Sequence, residues 1–247
     1  MYNEKYDLAN IRQENSDFVE FVTPYLSPYN KMIDLGCGTC RKVVSFAPLV
    51  KHITAIDRNE IMLKCAKENL AHSKILNVDL FLGDNLNTPF NSHEYDMCTT
   101  SLSFWSAAEV HRLLKSEDLL FIETLCPEDK FEIKEAFGKD DIGYRGYLYN
   151  RTTEETIVYL KASLSPFFDI NSIKQTVTDT VLSEEGFINL LEVTPTIRNF
   201  SLERDIKTIK FLVNNGYVHF TEKRLMIMAT SKKQLESDLW IPTLSKL

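Results

Sequence analysis

The chain has 247 residues, 44% of them apolar, with 28 Lys and Arg against 35 Asp and Glu for a formal charge of -7. That length suits one α/β domain carrying an insertion. No apolar run approaches the ~20 residues that span a bilayer, and the acidic balance disfavours broad, sequence-independent contact with nucleic acid, which needs many basic side chains against phosphates.

Near the start, Phe18, Phe21, Val22 and Tyr25 recur every three or four residues and predict an amphipathic helix leading into the domain. The residues before it have no basic start running into an apolar stretch, so no secretory signal is read and the cytoplasm is the expected address. From 31 to 125, short apolar runs alternate with helical patterns, as βαβ units and a parallel, doubly wound sheet require. Strands are predicted at Met32–Leu35, Ile53–Asp57, Leu80–Gly83, Tyr95–Thr100 and Leu119–Leu125, with helices at Lys42–Leu49, Glu60–Ala71 and Ala107–Leu114. A helix at Pro127–Ala136, an aromatic and arginine-rich loop, and a helix from Thr152 to about Leu164 come next, then an extended stretch at Phe167–Val181. Ser183-Glu184-Glu185 starts another helix that Pro195 ends, and Ser201–Asn215 repeats the pattern up to Gly216. The end reads as two strands, Tyr217–Phe220 and Leu225–Ala229, joined by a tight connection at Thr221-Glu222-Lys223.

The five cysteines, Cys37, Cys40, Cys65, Cys98 and Cys126, do not have the spacing of a disulfide scaffold and are expected as free thiols in a reducing compartment. Cys37 and Cys40 form a C-x-x-C, but the others are dispersed singly, so no metal site is expected.

The stretch Met32-Ile33-Asp34-Leu35-Gly36-Cys37-Gly38-Thr39-Cys40 is a strand running straight into a glycine-rich turn. Glycines permit the turn and let a ligand approach the backbone, and the helix after it offers free N–H groups. Asp57 ends the second strand about 20 residues on, where a carboxylate can accept both hydroxyls of a ribose. Strand ends of such a sheet meet at one crevice, so the glycine turn, Asp57, Asp84 and Thr100-Ser101 are expected around one ligand. A dinucleotide fingerprint wants a third glycine where Arg41 stands, and the Gly-Lys-Ser/Thr of a phosphate loop is absent. Asp34 would repel phosphates and suits a cationic ligand.

On these residues the chain resembles the class I S-adenosylmethionine-dependent methyltransferases, with Ile33-Asp34-Leu35-Gly36-Cys37-Gly38-Thr39 similar to their first motif and Tyr95-Asp96-Met97-Cys98-Thr99-Thr100 to their fourth. The likeness covers about residues 30 to 125. It implies S-adenosylmethionine as cofactor, S-adenosylhomocysteine as product and no metal. It places Asp34, Gly36, Cys37 and Gly38 at the methionine end, Asp57 at the ribose, and Arg58, Asp84, Asn85 and Leu86 at the adenine, with Thr100 and Ser101 at the facing strand end. It also implies a mostly parallel seven-stranded sheet with an antiparallel terminal strand. Residues 1–30 are then a helical segment, 31–126 with 217–232 the core, and 127–216 an inserted helical lid. Two departures are Cys40 at the family's third glycine and Ser116-Glu117-Asp118 in place of its Pro-Gly-Gly turn.

Acceptor recognition is assigned to Trp105 and to the loop Gly143–Arg151, whose Tyr144, Arg145, Tyr147 and Tyr149 offer stacking faces and an anion-pairing donor. His111 reads as an ordinary helical histidine. Leu190-Leu191-Glu192-Val193-Thr194-Pro195 is faintly similar to a stretch of bacterial ribosomal-RNA guanine methyltransferases, whose zinc-binding cysteine cluster is missing here. A small-molecule acceptor is preferred. An RNA acceptor, and a non-catalytic protein that binds the cofactor, stay open as alternatives.

Overall fold

A computed structural model describes residues 16–147 and 150–233. The first helix, α1 (Asp17–Val22), is capped by Ser16, whose hydroxyl accepts from the Val19 amide, and it buries Phe18 and Val22. Four parallel-pairing segments follow as expected: β1 (Lys31–Leu35), β2 (His52–Asp57), β3 (Val78–Leu82) and β4 (Tyr95–Ser101). Between them lie α2 (Arg41–Phe46), α3 (Glu60–His72) and α4 (Ala107–Leu113). The side chains of Asn59 and Ser106 cap α3 and α4 by accepting from backbone amides of the first turn.

β5 (Leu114–Leu125) begins earlier than the apolar run suggests, because the strand continues through Ser116-Glu117-Asp118 with Glu117 at φ +68° and a register shift against β4. Beyond it come α5 (Phe131–Phe137), the short pair β6 (Lys139–Asp140) and β7 (Gly143–Tyr144), α6 (Thr153–Leu164), β8 (Phe168–Ser183), α7 (Glu184–Val193), α8 (Leu202–Leu212) and β9 (Tyr217–Ser231). A reciprocal capping box between Thr152 and Glu155 starts α6.

The main sheet has the order β3-β2-β1-β4-β5-β9-β8, with β9 antiparallel to both of its neighbours. Two expectations are corrected. The chain end is one continuous strand, since Thr221 and Lys223 pair with Asp179 and Val177 instead of turning. No glycine or proline interrupts it, and a long partner strand satisfies its backbone groups. That partner, β8, falls inside residues 127–216, so this region is not wholly an insertion: it supplies the edge strand of the main sheet.

Strand pleating sorts the core into two layers. Met32, Met97, Phe121 and Met226 face α1, α2 and α3, together with Phe18, Phe46 and Ala66. Their neighbours Ile33, Cys98, Ile122 and Ile227 face the other side, with Val110, Leu164 and Phe168. β8 and β9 outrun the sheet. Pairing with β5 stops at Leu125 and Arg224, but β8 and β9 pair on from Val177 and Lys223 to Ser183 and Tyr217, an arm of ~24 Å at a strand's rise per residue. A third apolar cluster, including Ile133, Phe137, Leu182, Phe187, Leu190, Ile209 and Phe220, surrounds that arm. It forms a cap with its own small core beside the carboxyl edge of the sheet.

Candidate active site at the carboxyl edge of the sheet

The glycine turn leaves β1 by folding over β2: the amides of Gly36 and Cys37 both donate to the Ile56 carbonyl, at 2.8 and 3.0 Å. Gly36 and Gly38 have φ of +82° and +53°. Cys40 also adopts a left-handed conformation, at φ +60°, and its side chain is fully buried in the core layer beside Val43 and Phe46. The residue standing at the family's third glycine therefore points into the protein and away from the turn's open side. Burial and the Cys40 thiol next to it raise the Cys37 thiol well above its usual range, the Cys40 contact being the larger effect. All five cysteines are free and buried.

Asp57 lies at the turn, as the spacing requires. One carboxylate oxygen accepts from the Gly38 amide at 2.9 Å and the other from the Asn59 amide at 2.8 Å. Arg58 places its guanidinium 5.8 Å from the ring of Phe104, an exposed aromatic at the mouth. Asp84 is exposed and accepts from the Leu86 amide, and Leu86 itself is half exposed. Asn85 reaches across to donate to the Phe104 carbonyl at 3.2 Å, and its Oδ1 is buried with no hydrogen-bond partner among the described residues. Ser103 sits over Gly36, donating to the Leu35 carbonyl at 2.7 Å and meeting Thr100 Oγ1 at 3.0 Å. Gly36, Asp57, Asn85 and Thr100 are thus brought to one edge.

Pleating also puts Asp34, Thr99, Ser101 and Glu123 on the α2 face, one step above Met32, Met97 and Phe121. Asp34 is 7% exposed and accepts from Thr99 Oγ1 at 2.5 Å. Burial pushes its carboxyl up to about 6, against the Thr99 hydrogen bond and the Lys42 charge that pull it down. Lys42, from the first turn of α2, pairs with Glu123 and lies 2.5 Å from Ser101 Oγ, with its ammonium over the Phe18 ring. Sequence reasoning missed Lys42, Glu123, Ser103 and Phe104. The β4–β5 register that pairs Ser101 with Glu123 is a signal for Glu123, whereas Lys42 on α2 has none in the local sequence.

The acceptor candidates are scattered. Arg145 is corrected from a substrate contact to a structural clamp: it is 8% exposed and bonds both oxygens of Asp205, at 2.8 and 2.9 Å, while also donating to the Arg198 and Asn199 carbonyls. Tyr144 is half-buried under the Lys139 ammonium, 4.2 Å from its ring centre, and Tyr147 is half exposed. Trp105 is half-buried against the second core layer. Tyr149 lies outside the described residues. His111 contacts the Lys232 carbonyl and the rings of Phe167 and Phe168, at the far, amino edge of the sheet.

Residues 32–117 match the family model of a methyltransferase domain. The fold is shared with a Bacillus halodurans protein provisionally described as a methyltransferase, at a TM-score of 0.65 over 89% of this chain and 100% of that one, with 16% identity. The chain therefore carries a methyltransferase domain over about a third of its length. Among curated proteins it resembles, a demethylmenaquinone methyltransferase of Staphylococcus haemolyticus is 26% identical over 59% of this chain and 65% of its own length. A bifunctional biotin biosynthesis protein, BioHC of Teredinibacter turnerae, is 31% identical over 43% of this chain and 21% of its own length. This chain spans less than two thirds of either curated relative.

The residues present fit S-adenosylmethionine. Space is open above Gly38, where an added Cβ would meet nothing within 4 Å. The orphaned Asn85 Oδ1 is an acceptor suited to an exocyclic amine, and the buried Asp34 suits a cation. Among the described residues no helix is long and apolar enough to cross a membrane.

Proposed function

We propose that this chain transfers a methyl group from S-adenosylmethionine to a small-molecule acceptor. The observation that carries the reading is the glycine turn locked to Asp57 at the carboxyl edge, with Gly38 open above it. Asp57 would take the ribose hydroxyls, Asp84, Asn85, Leu86 and Arg58 the adenine, and Gly36, Cys37, Gly38 and Asp34 the methionine end, with Thr100 and Ser101 facing them. The bound cofactor supplies an electrophilic methyl group on a sulfonium sulfur. The protein's part is positioning and exclusion of water, which together can supply much of a transfer rate. A small acceptor is favoured by the cap beside the site, the net charge of -7, and the small-molecule pathways named for the curated relatives.

Calorimetric titration with S-adenosylhomocysteine tests the reading. Micromolar binding is expected, weakened at least tenfold in Asp57→Ala, since a charge-assisted hydrogen bond to a ligand contributes about 1.5–3 kcal/mol. No heat from the intact protein would sink it. With binding in hand, absence of turnover on any acceptor would leave a cofactor-binding regulator, and a salt-sensitive shift with transfer or ribosomal RNA would favour RNA as acceptor.

The raised Asp34 carboxyl gives a pH dependence. Below about 6 the group is neutral, and above it a carboxylate favours the sulfonium of S-adenosylmethionine over the uncharged sulfur of S-adenosylhomocysteine. The ratio of the two affinities is expected to rise several-fold in favour of S-adenosylmethionine between pH 5 and 7. Asp34→Asn should flatten the curve; a wild-type ratio constant with pH would remove Asp34 from the sulfonium's surroundings.

A further inference from the structure

The polar layer on the α2 face ends in a carboxylate used on one side only. Glu123 is 7% exposed, and its Oε2 receives both Ser101 Oγ, at 2.5 Å, and Lys42 Nζ. Its Oε1 accepts from none of the described residues. That oxygen is not one of the fully buried, unpartnered polar atoms, so it keeps contact with solvent and is open to a donor from a ligand. Besides Lys42, the buried Arg224 guanidinium is the other cation that feels this carboxylate. The layer just below is apolar, Met97 and Phe121 on these same two strands, and a buried ion pair is often replaceable by apolar side chains without loss.

Position gives the carboxylate its use. Ser101 pairs in register with Glu123, and its neighbour Thr100 pairs with Leu35 at the root of the glycine turn. Lys42 belongs to the helix that the turn starts. The free oxygen therefore stands two strands from β1, at the carboxyl ends of β4 and β5 and on the same edge as the turn. Burial alone would raise the Glu123 carboxyl, but Lys42 and Ser101 outweigh it and hold the group below the usual range, so it stays an acceptor of hydrogen bonds at neutral pH.

We propose that Glu123 faces the acceptor, and that its Oε1 takes a hydrogen bond from an N–H or O–H on the atom to be methylated, which makes amines or hydroxyl compounds the substrate class. The inference rests on the methyltransferase reading above. In the transfer, the acceptor's lone pair forms the new bond to the methyl carbon. The carbon–sulfur bond breaks with its electron pair going to sulfur, and the acceptor's proton is carried off by water. Glu123 holds the N–H or O–H so that the lone pair points at the methyl group. Lys42 and Ser101 are positioning residues that act through Glu123.

The test uses the full chain, methyl-labelled S-adenosylmethionine, and benzylamine, aniline, phenol and catechol as probes, with indole as a carbon nucleophile for contrast. At least one N–H or O–H probe is expected to be labelled, with kcat/KM falling at least 30-fold in Glu123→Gln while affinity for S-adenosylhomocysteine stays within threefold. Unequal losses of that kind are not produced by a merely structural residue. If Glu123→Gln loses its melting transition, Glu123→Asp keeps the charge, withdraws the oxygen by one methylene, and should show a tenfold drop. Label on indole alone, S-adenosylhomocysteine binding without label on any N–H or O–H probe, or variants as active as the wild type would each overturn the proposal. Failure of the wild type to bind S-adenosylhomocysteine would instead bring down the methyltransferase reading itself.

Discussion

Gly36→Ala is expected to destabilise the fold by ~3 kcal/mol and to abolish binding of S-adenosylhomocysteine. Two costs add. At φ +82° an L-residue is strained by about 1–2 kcal/mol, and the new methyl group would overlap Cβ and Oγ of Ser103, an overpacking of about 1–3 kcal/mol. Ser103 cannot swing clear without giving up its bonds to the Leu35 carbonyl and Thr100. Urea unfolding of the single variant and of Gly36→Ala with Ser103→Gly separates the terms, because the second change removes the overlap and leaves the backbone strain. Gly38→Ala, with open space around the added atom, should lose only the strain. Equal midpoints for wild type and Gly36→Ala would refute the close approach of β4's exit loop to the turn.

The second large effect belongs to the cap. Asp205→Ala is expected to cost about 3–5 kcal/mol, because it leaves the buried Arg145 guanidinium without its anion. The loss should be local. Amides of α7 and α8 are predicted to exchange with solvent much faster, while those of β1, β2 and β4 keep their protection. Replacing both partners, Arg145→Met with Asp205→Leu, should regain most of the loss, since the pair then leaves no orphaned charge behind. A single variant as protected as the wild type across the cap would show that the apolar cluster around Phe187 and Ile209 suffices without the clamp.

Up to β5 the domain could be read from the sequence because each element carries a local signal. The strands are unbroken apolar runs, the helices begin at Asn59 and Ser106, and the glycine turn announces itself. The second half gave weaker signals. β8 is exposed along much of its length, so its alternating residues Asn171 to Asp179 do not reveal whether they belong to a lid or a sheet; only the pairing with β9 decides. Arg145 illustrates another limit. An arginine between glycines and tyrosines has the composition of a binding loop, and the partner that uses it up, Asp205, lies sixty residues away on α8. The site divided similarly. Asp57 and Gly36 follow from spacing within one βαβ unit, whereas Lys42 on α2 and Glu123 on β5 are far apart in sequence and are joined only by the tertiary fold.

The long antiparallel pair also governs the order in which the molecule can form. About a hundred residues separate Leu125 from its partner Arg224, so β9 cannot seal the flank of β5 until nearly all of the described chain has been made. The four strands with β5 and their helices contain only short-range parallel crossovers and can assemble first. During that interval β5 is an open edge rich in Leu, Phe and Ile, a template for pairing with another chain. Maturation therefore hinges on the last strand to arrive, which finishes the sheet and raises the cap in the same event.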